Sequence, residues 1–102
     1  MPKCKITVLK RTYDSDLADS YVQERYRNPC RAFTDGQEFI VEADHRPDED
    51  FCDFAWNDIH KSVLTLMRGG NFCPWMQQPD TMIVCCTDGV RPVVFKLERI
   101  DD

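Results

Sequence analysis

The sequence predicts one α+β domain over residues 1–102, with a four-stranded, mainly antiparallel sheet, one long helix packed across it and one short helix. Three patterns point there. Apolar and polar residues alternate near the N-terminus. Apolar residues recur by threes and fours over residues 52–67. Two apolar runs near the C-terminus flank an Asp88-Gly89 turn signal, which reads as a hairpin.

Taken in order, residues 3–10 put Cys4, Ile6 and Val8 on one face and Lys5, Thr7 and Leu9 on the other, so this is a half-buried strand. Residues 14–22 open with capping side chains and set Leu17, Ala18, Tyr21 and Val22 on one stripe of a short helix. Asn28-Pro29 breaks the chain and Asp35-Gly36 turns it. Residues 37–43 form the second strand, with Phe39 and Val41 opposed to Ile40. Asp48 or Asp50 is the expected cap of the long helix, which runs to about Arg68 and buries Cys52, Ala55, Trp56, Ile59, Val63, Leu66 and Met67. Gly69-Gly70 stops it. A loop with two prolines leads to the strands TMIVCC and PVVFKLERI.

A chain of this length buries well over half of its unfolded surface, so it folds without disulfide staples. The N-terminus interleaves lysines with apolar residues, unlike a signal peptide, and no apolar run approaches the roughly 18 residues of a membrane span. The expected location is the cytoplasm, where clustered thiols read as ligands or nucleophiles before they read as disulfides. With 18 acids against 13 bases the net charge is −5, which argues against a nucleic-acid partner.

Six cysteines then ask for an explanation. Cys30 lies in the polar turn RYRNPCRAFTDG, flanked by Arg25, Arg27 and Arg31. Cys52 lies in the first turn of the long helix, where backbone amides favour a thiolate while Glu49, Asp50 and Asp53 oppose it. Cys86 closes a strand just before a turn; Cys85 beside it must point to the other face. If the three ends coincide, the sulfurs of Cys30, Cys52 and Cys86 fall within roughly 4–7 Å of one another, as a metal or small cluster requires. Cys52 and Cys86 are the expected closer pair. Such a site would hold an iron–sulfur cluster or zinc, with a fourth ligand from Cys85, Cys73, His45 or His60. No C-x-x-C pair or zinc-finger spacing supports it. Cys4 reads as a strand-face residue and Cys73 as a loop residue.

The segments DGQEFIV, FCDFAWNDI, GGNFCPWM and CCTDGVRPVVFKLERI, in that order, resemble a family of roughly 100-residue cysteine-containing proteins from anaerobic prokaryotes. The resemblance spans nearly the whole chain and implies recurrent cysteines at Cys30, Cys52 and Cys86 and a tryptophan at Trp75. Cys73 stands as an addition to that pattern, so the resemblance does not imply a ligand role for it. It carries no reaction with it.

The leading expectation is therefore a cytoplasmic protein with a metal site at Cys30, Cys52 and Cys86, for redox or sulfur chemistry. A metal-free thiol enzyme is the alternative. There Cys30 or Cys52 is the nucleophile, Arg27, Arg31 and Trp75 bind a small anionic substrate, and His45 or Asp88 moves protons. A third expectation is an assembly module, with the loop over residues 71–79 docking a protein partner or a second copy.

Overall fold

The computed structural model describes residues 2–43, 46–48 and 50–100. The chain runs β1 (Lys3–Arg11), α1 (Ser15–Tyr21), a 3-10 turn (Glu24–Tyr26), β2 (Glu38–Val41), α2 (Asp53–Met67), β3 (Thr81–Cys85) and β4 (Val93–Ile100). The four strands form one sheet in the order β2-β1-β4-β3, and every neighbouring pair is antiparallel. This is the α+β architecture expected from the sequence.

The strand periodicity decides which face is wet. Cys4, Ile6 and Val8 on β1 meet Val93, Phe95 and Leu97 on β4, all buried, on the face that α2 covers. Lys5 and Thr7 pair with Glu98 and Lys96 on the other face. Helix α2 lays Ala55, Ile59, Val63, Leu66 and Met67 on the sheet as one stripe. At its end Gly69 adopts the left-handed conformation of a helix stop, with φ 88°. Gly70 then passes so close to Thr65 that a Cβ there would lie 2.9 Å from its carbonyl oxygen.

Two expected elements differ. Neither Asp48 nor Asp50 caps α2. Asp48 accepts the Asp50 amide on its carboxylate at 2.8 Å and the Phe51 amide on its carbonyl at 3.0 Å, which closes a turn of its own. That turn drives Phe51 into the core, and the helix starts later, with Cys52 as its N-cap and no side-chain capping bond. Asp53 in the first turn pairs with Arg46. The second departure is α1. Asp14 caps it as expected, accepting the Leu17 amide at 3.0 Å. The expected apolar stripe is only partly buried, however: Ala18 is covered and Val22 half-buried, while Leu17 is 41% and Tyr21 82% exposed.

Strand β2 is shorter than residues 37–43 because only Glu38–Val41 reach a partner on β1. Its alternation is the expected one, with Val41 buried and Ile40 exposed.

Candidate functional site: a thiol-lined cavity at the start of the long helix

The site is built on an aromatic floor. Phe33, Phe39, Phe51 and Phe95 meet edge-to-face or tilted, with ring centroids 4.9–6.1 Å apart. Phe33 anchors the loop that carries Cys30, Phe51 anchors the approach to α2, and Phe95 belongs to β4. With Phe39 from β2, one cluster thereby fixes four chain segments against each other.

Each thiol enters from a different segment. The Cys30 loop is fastened by Arg11, whose Nη1 donates to the Cys30 carbonyl at 3.1 Å while its Nε donates to Asp35. Cys30 Sγ accepts the Ala32 amide at 3.4 Å. Cys52 is held at the helix N-cap. Cys86 follows β3 and is gripped by Val93, whose carbonyl accepts the Cys86 amide at 3.1 Å and whose own amide donates to Cys86 Sγ at 3.3 Å. Cys30, Cys52 and Cys86 all line one cavity of about 260 Å³. Its remaining walls are apolar (Ala32, Phe33, Phe54 and Ala55) except along the turn after Cys86.

That turn supplies the charge. Asp88 Oδ1 accepts the amides of Val90 at 2.9 Å and Arg91 at 3.0 Å, and Oδ2 accepts Arg91 Nε at 3.2 Å. Partial burial pushes the Asp88 carboxyl up, but the two backbone hydrogen bonds and the Arg91 guanidinium outweigh it and hold the group below the usual carboxylate range. Asp88, Arg91 and Thr87 all reach the cavity.

The other residues singled out from the sequence lie elsewhere. Arg27 donates to the carbonyls of Val22 and Asp19, closing the end of α1, and Arg31 is exposed; neither lines the cavity. Trp75, 81% exposed, sits in the loop after α2 and is also absent from its walls. His60 packs at a tilt against Trp56, ring centroids 4.8 Å apart, with Nε2 buried and unpartnered among the described residues. His45 and Glu49 lie outside the described residues. All six cysteines are free. Cys4 is fully buried, and burial, helped by the nearby Glu98 charge, pushes its thiol up to about 11. Cys73 and Cys85 are exposed.

Among the described residues no three His, Cys, Asp or Glu side chains are already gathered as a metal site. No helix among them is long and apolar enough to cross a membrane. The chain matches no protein-family model, no curated protein and no solved structure.

Sequence reasoning passed over Phe33, Phe51 and Arg91. Phe51 is hidden in an acidic run, PDEDFCD, that reads as a cap. Arg91 stands three residues after Asp88, the spacing at which a turn brings the two side chains together.

Proposed function

We propose that this chain is a cytoplasmic protein, akin to the family of anaerobic prokaryotes it resembles, that works through the thiols of Cys30, Cys52 and Cys86. Zinc or an iron–sulfur cluster is the proposed occupant, for redox or sulfur chemistry. The observation that supports this is that three thiols, from a loop, a helix N-cap and the residue after a strand, line one cavity. Two of the sulfurs accept backbone amides, and such hydrogen bonds are one way a protein tunes thiolate ligands. A bound metal would supply a Lewis acid or an electron carrier. The chain's own part is to present the sulfurs over the buried Phe33, beside the exposed Phe54, and to hold Arg91 at the same cavity.

Anaerobic purification without chelator, followed by zinc, iron and sulfide analysis, tests this. We expect near-stoichiometric metal, lost in Cys30→Ser, Cys52→Ser and Cys86→Ser and kept in Cys73→Ser. Less than about a tenth of an equivalent of each element per chain would sink the metal reading.

A second reading is favoured by the charge at the cavity: a metal-free thiol enzyme acting on a small anion, with Cys30 or Cys52 as nucleophile. Alkylation rates against pH decide it. If both rim thiols react with the ordinary midpoint of about 8.5, no activated nucleophile exists. The exposed Trp75 keeps the loop over residues 71–79 as a proposed contact for a protein partner or a second copy. An unchanged mass for wild type and Trp75→Ala in light scattering, both monomeric, would remove that role. The acidic balance supports the absence of a nucleic-acid partner.

A further inference from the structure

Arg91 is built like a ligand-binding group. Its side chain is only 28% exposed, yet among the described residues the one side-chain hydrogen bond it makes uses Nε, which donates to Asp88. Among the described residues neither terminal nitrogen, Nη1 nor Nη2, has a partner. A guanidinium carries five donors in a rigid fork, and the terminal nitrogens of Arg91 are not among the fully buried unpartnered atoms, so the fork opens to solvent-accessible space. Arg99, on the same strand system, engages both of its terminal nitrogens with carbonyls. The contrast marks Arg91 as an arginine oriented by a carboxylate and left open at its fork.

The surroundings narrow what the fork takes. The cavity walls are mostly apolar, and among the described residues their one cation is Arg91, already facing Asp88. A monoanion therefore leaves one uncompensated negative charge at the site and a phosphate dianion two, so charge balance favours the monoanion over the dianion, and it is the open donors of the fork that must favour it over a neutral ligand. The fork also matches the two oxygens of a planar carboxylate. A volume of about 260 Å³ lies below the roughly 300–1,000 Å³ of drug-sized sites, so the ligand is small. We infer that the thiol-lined cavity binds a small monocarboxylate, its carboxylate on Arg91 Nη1 and Nη2 and its apolar body against Phe33 and Phe54. This deepens the thiol-site reading by naming the class of molecule brought to the sulfurs, and it rests on that cavity being the working site.

The Asp88–Arg91 pair also borders a second hollow, of about 350 Å³, lined by Val22, Tyr26 and Val90. The experiment must therefore locate the ligand as well as detect it. Phenylacetate is titrated into the full-length, ¹⁵N-labelled protein under reducing conditions, with phenylacetamide and inorganic phosphate as comparisons. We expect saturable amide shifts at Ala32, Phe54, Thr87 and Arg91, no saturable binding of phenylacetamide, and weaker binding of phosphate. Arg91→Lys keeps the charge but loses the fork and should weaken phenylacetate about tenfold or more; Tyr26→Ala should leave it unchanged. No saturable binding, equal binding of the amide, tighter binding of phosphate, indifference to Arg91→Lys, or shifts confined to Val22 and Tyr26 would each overturn the inference. Metal content is read separately, so a metal-loaded protein that ignores phenylacetate refutes this inference and leaves the thiol site standing.

Discussion

Arg91 and Arg99 flank the two ends of β4, and they divide the molecule into an end that is closed and an end that is open. At the far end Arg99 Nη1 donates to the carbonyls of Leu66 and Gly70, both at 2.9 Å, and Nη2 reaches that of Pro79 at 3.4 Å. The last carbonyls of a helix have no partner within it, so a strand arginine here completes α2 and ties the following loop to the sheet. At the near end Arg91 is held by one carboxylate beside three thiols, and α2 begins without a side-chain cap. One end uses its guanidinium to satisfy the fold. The other keeps a guanidinium, three sulfurs and a cavity that the fold does not fill.

The sharpest test of that division is to remove the floor under the open end. Phe51 is 2% exposed and touches Phe33, Phe39, Phe95 and Trp56. Phe51→Ala should cost about 3–5 kcal/mol in urea unfolding, comparable to much of the total stability of a domain this size. A loss below about 1 kcal/mol would mean the aromatic cluster does not hold the thiol segments together.

Next come the arginines themselves. Arg99→Met strips charged hydrogen bonds from partly buried carbonyls and should cost about 2–3 kcal/mol. Arg91→Met removes one partly exposed ion pair and should cost under about 1 kcal/mol. Equal losses in equilibrium unfolding would break the comparison.

Cys4 sharpens the contrast from the core side. Its thiol is pushed up to about 11 from 9.0, so folding favours the neutral form. That contribution is fully present below the unfolded value and is lost as pH rises through the folded one. Stability of wild type should therefore fall by about 1–2 kcal/mol between about pH 9 and 11 relative to Cys4→Val. Parallel curves for the two proteins across that range would show that burial does not perturb this thiol. In native protein, iodoacetamide should label Cys73 and Cys85 first and Cys4 only through unfolding, as peptide mapping by mass spectrometry will show.

The sheet was legible because its signal is local. Each of β1, β2 and β4 alternates within itself, and Cys4, Ile6 and Val8 need no distant partner to declare a buried face. The apolar stripe of α2 was equally plain, as was its Gly69 stop. The start of α2 was not, because Asp48, Asp50 and Asp53 all have capping chemistry and only tertiary burial of Phe51 decides among them. The thiols could be recognised as sitting at element ends. That those ends share one cavity depends on sheet order and register, which no single segment encodes. Arg91 was invisible for the same reason: a turn of seven residues places its guanidinium at the cavity, whereas Arg27 and Arg31, nearer Cys30 in sequence, lie outside it. Proximity along the chain misjudged proximity in space.

The smallest expected effect concerns the hinge of the open end, Asp88. Its carboxylate joins two backbone amides and Arg91 Nε, so Asp88→Asn keeps the shape but removes the charge that orients the guanidinium. The group is held below the usual carboxylate range when folded. The stability it contributes is therefore present above the ordinary value of about 3.9 and lost as pH falls through the lowered folded value. At neutral pH the variant should be less stable by no more than about 1 kcal/mol, since the pair is partly exposed and screened. The gap between wild type and variant should then narrow below about pH 4. Measured by urea midpoints from neutral to acid, a gap that stays constant or widens on acidification would mean that charge does not set this turn. Arg91 would then be positioned by packing alone, and the open end would differ from the closed end in its contacts but not in its electrostatics.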